Sequence, residues 1–451
     1  MTRSLSVTDE PRPAPDLQDV PALPRLLTGI PSRGAMSLGE HLAVHGAPPS
    51  ARARARGKTS PFIERIERSG LSGRGGGSFP TARKMRAVAA SRGRAIVVAN
   101  GAEGEPASLK DRTLLATLPH LVLDGGILAA EALGADELII GVCEAELACL
   151  ESVAQAIEER GRSALALRMA TVPKQYIAGQ ESALISHLNG RPALPTFTPP
   201  MPFERGVSRR PTLVSNVETL AHMALIARHG SQWFRQLGTP TQPGSALVTL
   251  SGAIAHPGVY EIEQGASLSS LIEAAGGTTD RIRAVLTGGY GGTWIGGEFL
   301  HGLALSNEHL APHGATLGAG VVLLLSEQAC PVAETARVAR WLADQSSRQC
   351  GPCLHGLDAL ATTVEQIAES APHERAKQRV EQLAGLIRRR GACSHPDGAV
   401  NFILSALDVF AMEFADHARH GRCDACTRPG QLPLRTTPIG VTALEEPVPA
   451  R

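Results

Sequence analysis

A glycine-rich segment is the sequence feature that most constrains this chain. Residues 70–81 read Gly-Leu-Ser-Gly-Arg-Gly-Gly-Gly-Ser-Phe-Pro-Thr, so five glycines fall within eight residues. Glycine has no Cβ atom, which leaves backbone N–H groups free to close around a phosphate, above all where a helix follows the loop. The spacing fits neither Gly-x-Gly-x-x-Gly after a strand nor a loop ending in Gly-Lys-Ser/Thr. The segment therefore predicts an anionic cofactor outside the Rossmann and P-loop patterns, with a mobile surface loop as the alternative.

The residues after this loop complete a longer pattern. An apolar run at 95–99 leads into Asn100-Gly101-Ala102-Glu103-Gly104-Glu105-Pro106, and Lys110-Asp111-Arg112 follows shortly afterwards. The combination resembles the flavin-carrying, NADH-oxidising F subunit (51 kDa subunit) of respiratory complex I. Related subunits occur in NAD-linked hydrogenases and formate dehydrogenases. The resemblance runs from about residue 38 to residue 426.

The resemblance implies where FMN binds. In that family the glycine loop and the Asn/acidic segment hold the flavin, and two later segments, residues 176–184 and 211–219, return to it. The FMN-binding residues expected from this match are Gly73, Arg74, Gly75, Gly76, Gly77, Phe79, Lys84, Asn100, Glu103, Glu105, Gly179, Gln180, Glu181, Ser215, Asn216 and Thr219.

The dinucleotide side of the site departs from the family. The family has two adjacent acidic residues where this chain has Gln180 and Glu181. It also has Lys-Pro-Pro-Phe-Pro where residues 198–202 read Thr-Pro-Pro-Met-Pro, and a ring near the positions of Met85 and Ala87. Stacking is worth roughly 1 kcal/mol per ring, so these changes predict weak NAD(H) binding beside an intact FMN site.

Hydrophobic patterns predict an α/β domain, then a small module of strands and a helix, and a C-terminal helical part. The resemblance implies that these are an α/β flavin-binding domain, a small β-grasp (ubiquitin-like) module and a C-terminal helical bundle carrying an iron–sulfur site. Strands are expected at 96–99, 138–142 and 166–172, with a helix over 114–133, and Cys143 and Cys149 belong to the core. The expected divisions are 1–60 (extended or disordered), 61–240 (FMN domain), 241–328 (β-grasp module), 329–426 (iron–sulfur bundle) and 427–451 (tail).

The prediction of the β-grasp module depends on a short series of expected strands, a turn and a helix. Residues 246–252 and 259–262 are predicted strands, 256–258 a turn, and 268–275 a helix that ends at two glycines. This order resembles the soluble-ligand-binding module that follows the flavin domain in the family. The glycine-dense residues 288–292 are interpreted as a structural turn, with ligand binding as the alternative.

Two apolar stripes indicate helices in the C-terminal part. Ile403, Leu407, Phe410 and Phe414 recur at helical spacing, and so do residues 380, 383 and 387. Cys350-Gly-Pro-Cys353 and Cys393 lie in the same region. A Cys-x-x-Cys pair with a distant third cysteine suits iron–sulfur or zinc coordination.

The resemblance implies a [4Fe–4S] cluster here. Its first cysteine falls on Ser347, so the expected ligand set is Ser347, Cys350, Cys353 and Cys393. The alternatives are serine ligation, substitution by Cys330, a labile or three-iron cluster, and structural thiols or zinc. Cys423-x-x-Cys426 is left open between a vestigial pair, a redox disulfide and a metal site shared with a partner.

Composition excludes several classes of protein. A formal net charge of +1 over 451 residues argues against a dedicated nucleic-acid binder. No apolar run approaches the ~20 residues of a bilayer span, and residues 1–16 lack an apolar signal core; a cytoplasmic protein is predicted. The basic run Arg52, Arg54, Arg56 and Lys58 is interpreted as a solvated linker, with docking on a partner as the alternative.

Three functions are compatible with these features. The first is a flavin and iron–sulfur oxidoreductase subunit that passes electrons from NADH through FMN and the cluster to a partner. The second is an electron-relay or assembly subunit that no longer oxidises NADH, and the third is a scaffold without cofactors. A thioredoxin-like [2Fe–2S] partner would favour NADH chemistry, whereas a ferredoxin or membrane cytochrome would favour the relay.

Overall fold

The computed structural model describes residues 23–51, 60–161, 163–369 and 375–434. The basic run at Arg52, Arg54, Arg56 and Lys58 lies outside the described residues, as do residues 1–22 and the tail from 435 onward. Within the segment predicted to be extended or disordered, residues 38–45 are helical instead. Helix α1 (Leu38–His45) begins there with a capping box, in which Ser37 and Glu40 satisfy each other's backbone N–H groups. Leu26 and His41 are fully buried against later parts of the chain.

Four parallel strands form the first sheet, in the order β3-β2-β1-β4. They are β1 (Ile96–Gly101), β2 (Glu137–Cys143), β3 (Ala166–Val172) and β4 (Thr212–Asn216). The three strands predicted in this region are confirmed, and β4 occupies a segment for which only cofactor binding was predicted. β1 and β2 are buried almost throughout, as parallel strands covered by helices are.

Helices surround this sheet. They are α2 (Pro61–Ser69), α3 (Thr81–Ala90), α4 (Lys110–Thr117), α5 (Pro119–Leu133), α6 (Leu147–Arg160), α7 (Glu181–Leu188), α8 (Val217–His229) and α9 (Ser231–Phe234). The helix predicted over 114–133 is divided at Leu118, because Pro119 has no N–H to continue the hydrogen-bond ladder and begins a new helix instead. Cys143 and Cys149 are buried, as predicted.

A second sheet follows, in the order β6-β5-β9-β7-β8. Its strands are β5 (Ser245–Gly252), β6 (Gly258–Glu263), β7 (Ile282–Thr287), β8 (Thr293–Gly296) and β9 (Val321–Ser326), with α10 (Leu268–Ala274) and α11 (Asn307–Leu310) between them. Only β5 and β9 pair in parallel among the described strands of this sheet. The strands and the helix predicted at 246–275 are confirmed.

The C-terminal part is helical. Its helices are α12 (Pro331–Asp344), α13 (Leu357–Glu369), α14 (Ala376–Ile387), α15 (His395–Val409) and α16 (Ala411–His420). Both predicted apolar stripes are buried, although the first is shared by two helices because the chain bends at Phe410. Among the described residues no single helix has both the length and the apolarity of a membrane span; α4 with α5 and α15 with α16 reach that length only as pairs, bent by 96° and 84°.

Aromatic side chains join the second sheet to these helices. Trp294 of β8 lies edge-on to Phe410, with ring centroids 5.3 Å apart. Tyr290, in the loop before β8, contacts Trp341 of α12 at 5.7 Å and Phe402 of α15 at 6.0 Å. Such contacts contribute about 0.5–1.5 kcal/mol each beyond the buried area, so they fix the C-terminal helices relative to the second sheet.

Candidate cofactor sites

Two asparagines meet at the carboxyl edge of the first sheet. Asn100 of β1 is directly opposite Asn216 of β4 in the strand register. The chain leaves β1 towards β2 on one side, while β4 lies on the other, so a crevice opens between the loops that follow these two strands. Ligands of parallel α/β sheets bind at such a switch point.

The glycine loop lies directly over this point. It joins α2 to α3 and is closed by a hydrogen bond from Gly73 N–H to the Phe79 carbonyl oxygen, 2.8 Å long. Arg74 N–H donates to Thr219 Oγ1 of α8 at 2.8 Å. A Cβ atom at Gly75 would lie 3.3 Å from Asn216 Cβ, whereas one at Gly77 would meet no atom within 4 Å. The loop is therefore tied to α8 on one side and presents open backbone on the other.

The Asn100 side chain connects the loop after β1 to the segment before α7. Its amide donates to the Gly179 carbonyl oxygen at 2.8 Å, and its oxygen accepts Ala102 N–H at 3.2 Å. A Cβ at Gly179 would lie 2.4 Å from the Ala102 carbonyl oxygen, and one at Gly104 would lie 2.5 Å from the Tyr176 carbonyl oxygen. Only glycine permits these backbones to approach so closely.

Two acidic residues predicted to face the flavin are held by protein groups. Glu103 accepts the N–H groups of Asp111 and Arg112 in the first turn of α4, at 3.2 and 3.1 Å. Glu105 accepts the N–H groups of Tyr290 and Ala107, at 2.8 and 3.2 Å, and burial raises its pKa to about 7. Glu103 thus caps a helix beside the crevice, and Glu105 joins the first part of the chain to the second sheet.

A buried ionic cluster beneath the crevice was missed in the sequence. Lys110 Nζ lies 2.6 Å from Asp111 and 2.9 Å from Glu218, and Asn216 donates to Asp111 at 2.6 Å. Arg74 lies on the other side of Glu218, 3.9 Å away, and also donates to the Ser245 carbonyl oxygen. Although burial opposes it, the two carboxylates raise the pKa of Lys110. The only available signal was the Lys-Asp-Arg sequence soon after β1.

The remaining predicted residues lie on α3, at the start of α7, on β4 and in the glycine loop. Gln180 caps α7 by accepting Ala183 N–H at 2.9 Å, and Glu181 pairs with Lys84 of α3 at 2.9 Å. Ser215 is buried on β4, and Gly76 adopts a positive φ of 101° in the loop. The Lys84–Glu181 pair ties α3 to α7.

The same edge exposes two aromatic rings. Phe79 is 48% exposed and Phe197 is 79% exposed, whereas Met85 is fully buried. Thr196, the neighbour of Phe197, is bound to Ser182 of α7 through its N–H at 3.0 Å. Phe197 therefore lies on a segment anchored beside Gln180 and Glu181; it is a ring that the family resemblance alone did not reveal.

A cavity of about 240 Å³ separates this region from the C-terminal helices. It is lined by Glu103 and Gly104, by Tyr176, by Trp341 of α12, and by Leu434 near the end of the described chain. Residues from the first sheet's loops, from the helical part and from the final described segment therefore all contribute to its walls.

The predicted cluster ligands converge at the start of α13. Cys350 and Cys353 flank the entry to a π-helical turn, Pro352–Gly356. The pKa of the Cys353 thiol is raised by burial and by the neighbouring Cys350 and Cys393, while the Ser347 hydroxyl, 3.9 Å from its sulfur, lowers it. Cys330 does not join them, because it contacts Cys426 and His417 instead.

Both donor sets fit the cofactors expected from the sequence. Three thiols whose charges influence one another, with the Ser347 hydroxyl 3.9 Å from the Cys353 sulfur, suit an iron–sulfur cluster. The open glycine backbone at the start of α3 suits a phosphate, and the buried Thr81 hydroxyl there has no hydrogen-bond partner in the part of the chain that is described.

Three family profiles match the chain. Residues 66–225 match the Nuo51 FMN-binding domain, residues 247–293 the SLBB domain, and residues 333–417 the NADH-ubiquinone oxidoreductase-F iron–sulfur binding region. The FMN-binding domain and the [4Fe–4S] region expected from the sequence are thereby confirmed.

Similar proteins span most of the chain. The second NADH-quinone oxidoreductase F subunit of Rhizobium meliloti (strain 1021) is 31% identical over 389 residues, which cover 82% of this chain and 92% of that protein. The NADP-reducing hydrogenase subunit HndC of Solidesulfovibrio fructosivorans is 28% identical, over 81% of this chain and 78% of its own.

A solved structure has the same architecture. A chain of the NAD+-reducing [NiFe]-hydrogenase in the H2-reduced state superposes with a TM-score of 0.75 at 32% identity. The match covers 80% of this chain and 63% of the hydrogenase chain.

Proposed function

Because this chain belongs to the F-subunit family of the NADH-quinone oxidoreductases, we propose that it passes electrons between FMN and a [4Fe–4S]-type cluster to a partner protein. The observation that carries this function is the convergence of the glycine loop, Asn100 and Asn216 at the switch point of the parallel sheet. We further propose that the second sheet is a β-grasp module and that α12 to α16 form the bundle that holds the cluster.

The chain's own residues shape the flavin site. The open backbone of residues 75–77 and the N-terminus of α3 would bind the phosphate, while Asn100 and Asn216 hold the floor of the crevice. The Lys110 cluster fixes Asn216 from below through Asp111. When bound, FMN takes up two electrons together and releases them singly.

Cys350, Cys353 and Cys393, with Ser347 as the fourth donor, would hold the cluster. Cys353 lies in the π-helical turn Pro352–Gly356, and Cys350 lies two residues before this turn. A hydroxyl is a harder and less acidic ligand than a thiol, so the Ser347 position is the weakest point of the set.

A second candidate function, an electron relay or assembly role without NADH oxidation, is favoured by the altered dinucleotide contacts. Gln180 caps its helix, Met201 offers no ring, and Thr198 carries no charge. Phe79 and Phe197 are the exposed rings that could compensate. A thioredoxin-like [2Fe–2S] protein is the partner for NADH oxidation and a ferredoxin for the relay. The cytoplasmic location stays a prediction.

Flavin content tests the first function. Chain purified without oxygen should release near-stoichiometric FMN on denaturation. Gly75→Val should abolish it, because even a Cβ there would press on Asn216, and Asn100→Ala should do so by removing the bond to Gly179. Gly385→Val is the matched control, since a Cβ at Gly385 would meet nothing within 4 Å. Folded wild-type protein that binds no FMN after reconstitution would refute the proposal.

Stopped-flow reduction by NADH separates the two functions. Three lost contacts at roughly 1 kcal/mol each would raise the dissociation constant about a hundredfold. Weak or absent reduction supports the relay, whereas fast flavin bleaching that saturates at micromolar NADH excludes it. If Phe197 provides the stacking surface, Phe197→Ala should raise the NADH concentration needed for half-maximal reduction. Phe299 is an exposed ring in the turn after β8, and Phe299→Ala should leave that concentration unchanged.

A further inference from the structure

Four ligand-type side chains meet at one end of the C-terminal helices, apart from the predicted cluster. They are Cys330, His417, Cys423 and Cys426, and their ligand atoms all lie within 4.8 Å of one another. Cys330 Sγ is 3.4 Å from both Cys426 Sγ and His417 Nε2. Cys426 Sγ is 3.6 Å from Cys423 Sγ and 3.9 Å from His417 Nε2.

Three separate elements bring these residues together. Cys330 is the N-cap of α12, just after β9. His417 lies in the last turn of α16, Cys423 immediately precedes the short 3-10 turn Asp424–Thr427 that follows, and Cys426 lies within this turn. The site thus joins the start of the C-terminal part of the chain to its end.

The distances suit a single ion. A tetrahedral zinc ion with Zn–S bonds of about 2.3 Å and a Zn–N bond of about 2.0 Å holds its ligand atoms about 3.5–3.8 Å apart, close to the separations found here. A cubane cluster would separate its ligands by its own width. A disulfide would join one sulfur to one other at about 2.05 Å, whereas Cys426 has two sulfur neighbours at similar distances.

We propose that Cys330, His417, Cys423 and Cys426 form a structural zinc site. Three thiolates and one imidazole make a closed Cys3His set, which suits Zn²⁺ and disfavours hard cations such as Mg²⁺ or Ca²⁺. The three cysteines lie outside the matched iron–sulfur region, residues 333–417. They are also different thiols from Cys350, Cys353 and Cys393, so the zinc site and the cluster do not compete for ligands.

The ion would hold a strap, residues 421–434, against the helices. Beyond Cys426 the N–H groups of Gln431 and Leu432 donate to Glu334 of α12, at 2.7 and 3.2 Å. Tyr290 donates its hydroxyl to the Pro433 carbonyl oxygen at 2.6 Å, and Leu434 lines the 240 Å³ cavity. Zinc at one end of the strap therefore supports a wall of the cavity beside Glu103.

Metal analysis of the intact chain tests the site. Protein purified without oxygen from zinc-supplemented cells should contain about one tightly held zinc per chain in addition to its iron, with three sulfur and one nitrogen neighbour by zinc X-ray absorption. Cys330→Ser and Cys426→Ser should each lose the zinc while FMN and iron contents stay unchanged. Cys149→Ser, a buried thiol of α6, should keep it.

Three outcomes would overturn the assignment. One is wild-type protein without zinc in which all four groups react freely with alkylating and imidazole-modifying reagents. Another is a Cys423–Cys426 disulfide in peptides from anaerobic protein. The third is zinc retained in both serine variants, which would place the ion elsewhere. If a variant fails to fold, the zinc content and the zinc X-ray absorption spectrum of the wild-type protein still decide whether the zinc site exists. Neither measurement depends on how much flavin or cluster the protein carries.

Discussion

Replacing Lys110 by Met tests how the floor of the flavin crevice is held. Lys110 is buried between Asp111 at 2.6 Å and Glu218 at 2.9 Å. Methionine keeps most of the volume but leaves both carboxylates without this cation. Removing one partner of a buried ion pair costs about 3–5 kcal/mol, a large share of the roughly 5–15 kcal/mol that stabilises a typical domain. FMN content should fall with it, because Asp111 positions Asn216.

The loss should depend on pH in a defined direction. In the wild type, burial acts to raise the pKa of Glu218, but Lys110, His222 and Arg74 together outweigh it, and the value falls to about 2. A depressed pKa contributes stability that is present above the unfolded value and lost below it. Without Lys110 only His222 and Arg74 oppose burial, so we expect the folded pKa of Glu218 to rise above the unfolded one and its contribution to stability to be lost as pH increases. The loss of unfolding free energy caused by Lys110→Met should therefore be smaller near pH 5 than near pH 8.

The measurement is the denaturant concentration at the midpoint of unfolding, followed by tryptophan fluorescence at both pH values. Midpoints are compared rather than extrapolated free energies of unfolding, because a chain of several domains need not unfold in two states. Lys377→Met is the control: Lys377 is 55% exposed and pairs with Glu381 at 4.0 Å, so its loss should cost under about 1 kcal/mol. Adding Glu218→Gln to Lys110→Met should restore part of the stability. If the Lys110 and Lys377 variants behave alike at both pH values, the cluster has no stabilising role.

Three further predictions concern single residues. Burial raises the pKa of Glu105 to about 7, above its unfolded value, so its contribution to folding stability is fully present below about pH 4.5 and lost as pH rises through 7. Glu105→Gln should therefore flatten the fall of melting temperature with pH in this range. An equally steep fall in the variant would contradict the assignment. Gly104→Ala should lower flavin content severalfold, because its Cβ would lie 2.5 Å from the Tyr176 carbonyl oxygen, whereas Gly385→Ala should not; equal flavin release from both would argue against it. Ser347→Cys should make the cluster more resistant to oxygen and Ser347→Ala should favour a three-iron form, both followed by EPR; an unchanged cluster in both variants would make Ser347 a bystander.

Local patterns in the sequence predicted much of the fold. Buried parallel strands such as β2 consist of short apolar runs, and the glycine loop is identified by composition alone. The convergence of the loop with Asn100 and Asn216 followed from the family resemblance. Residues 23–51 escaped prediction because their few apolar residues have no period of their own and are buried by later helices.

Interactions between distant residues could not be predicted. Lys110 looks like a surface residue until Glu218 is placed beside it by the pairing of β4 with β1. Cys423 and Cys426 formed a recognisable pair, but their partners Cys330 and His417 are supplied by the ends of two other helices. Phe197 carried no signal, because its exposure depends on how its segment is anchored to α7.

The strand order of the first sheet bears on how the chain is made. More than one hundred residues separate β4 from β1 in the chain, yet the two strands are neighbours. Because synthesis proceeds at roughly 5–20 residues per second, the apolar edge of β1 stays unpaired for several seconds until β4 has left the ribosome. During this time it can pair with the edge of another nascent chain. We expect the newly made chain to depend on chaperones until residue 216 has emerged, and truncations that end before β4 to accumulate as aggregates.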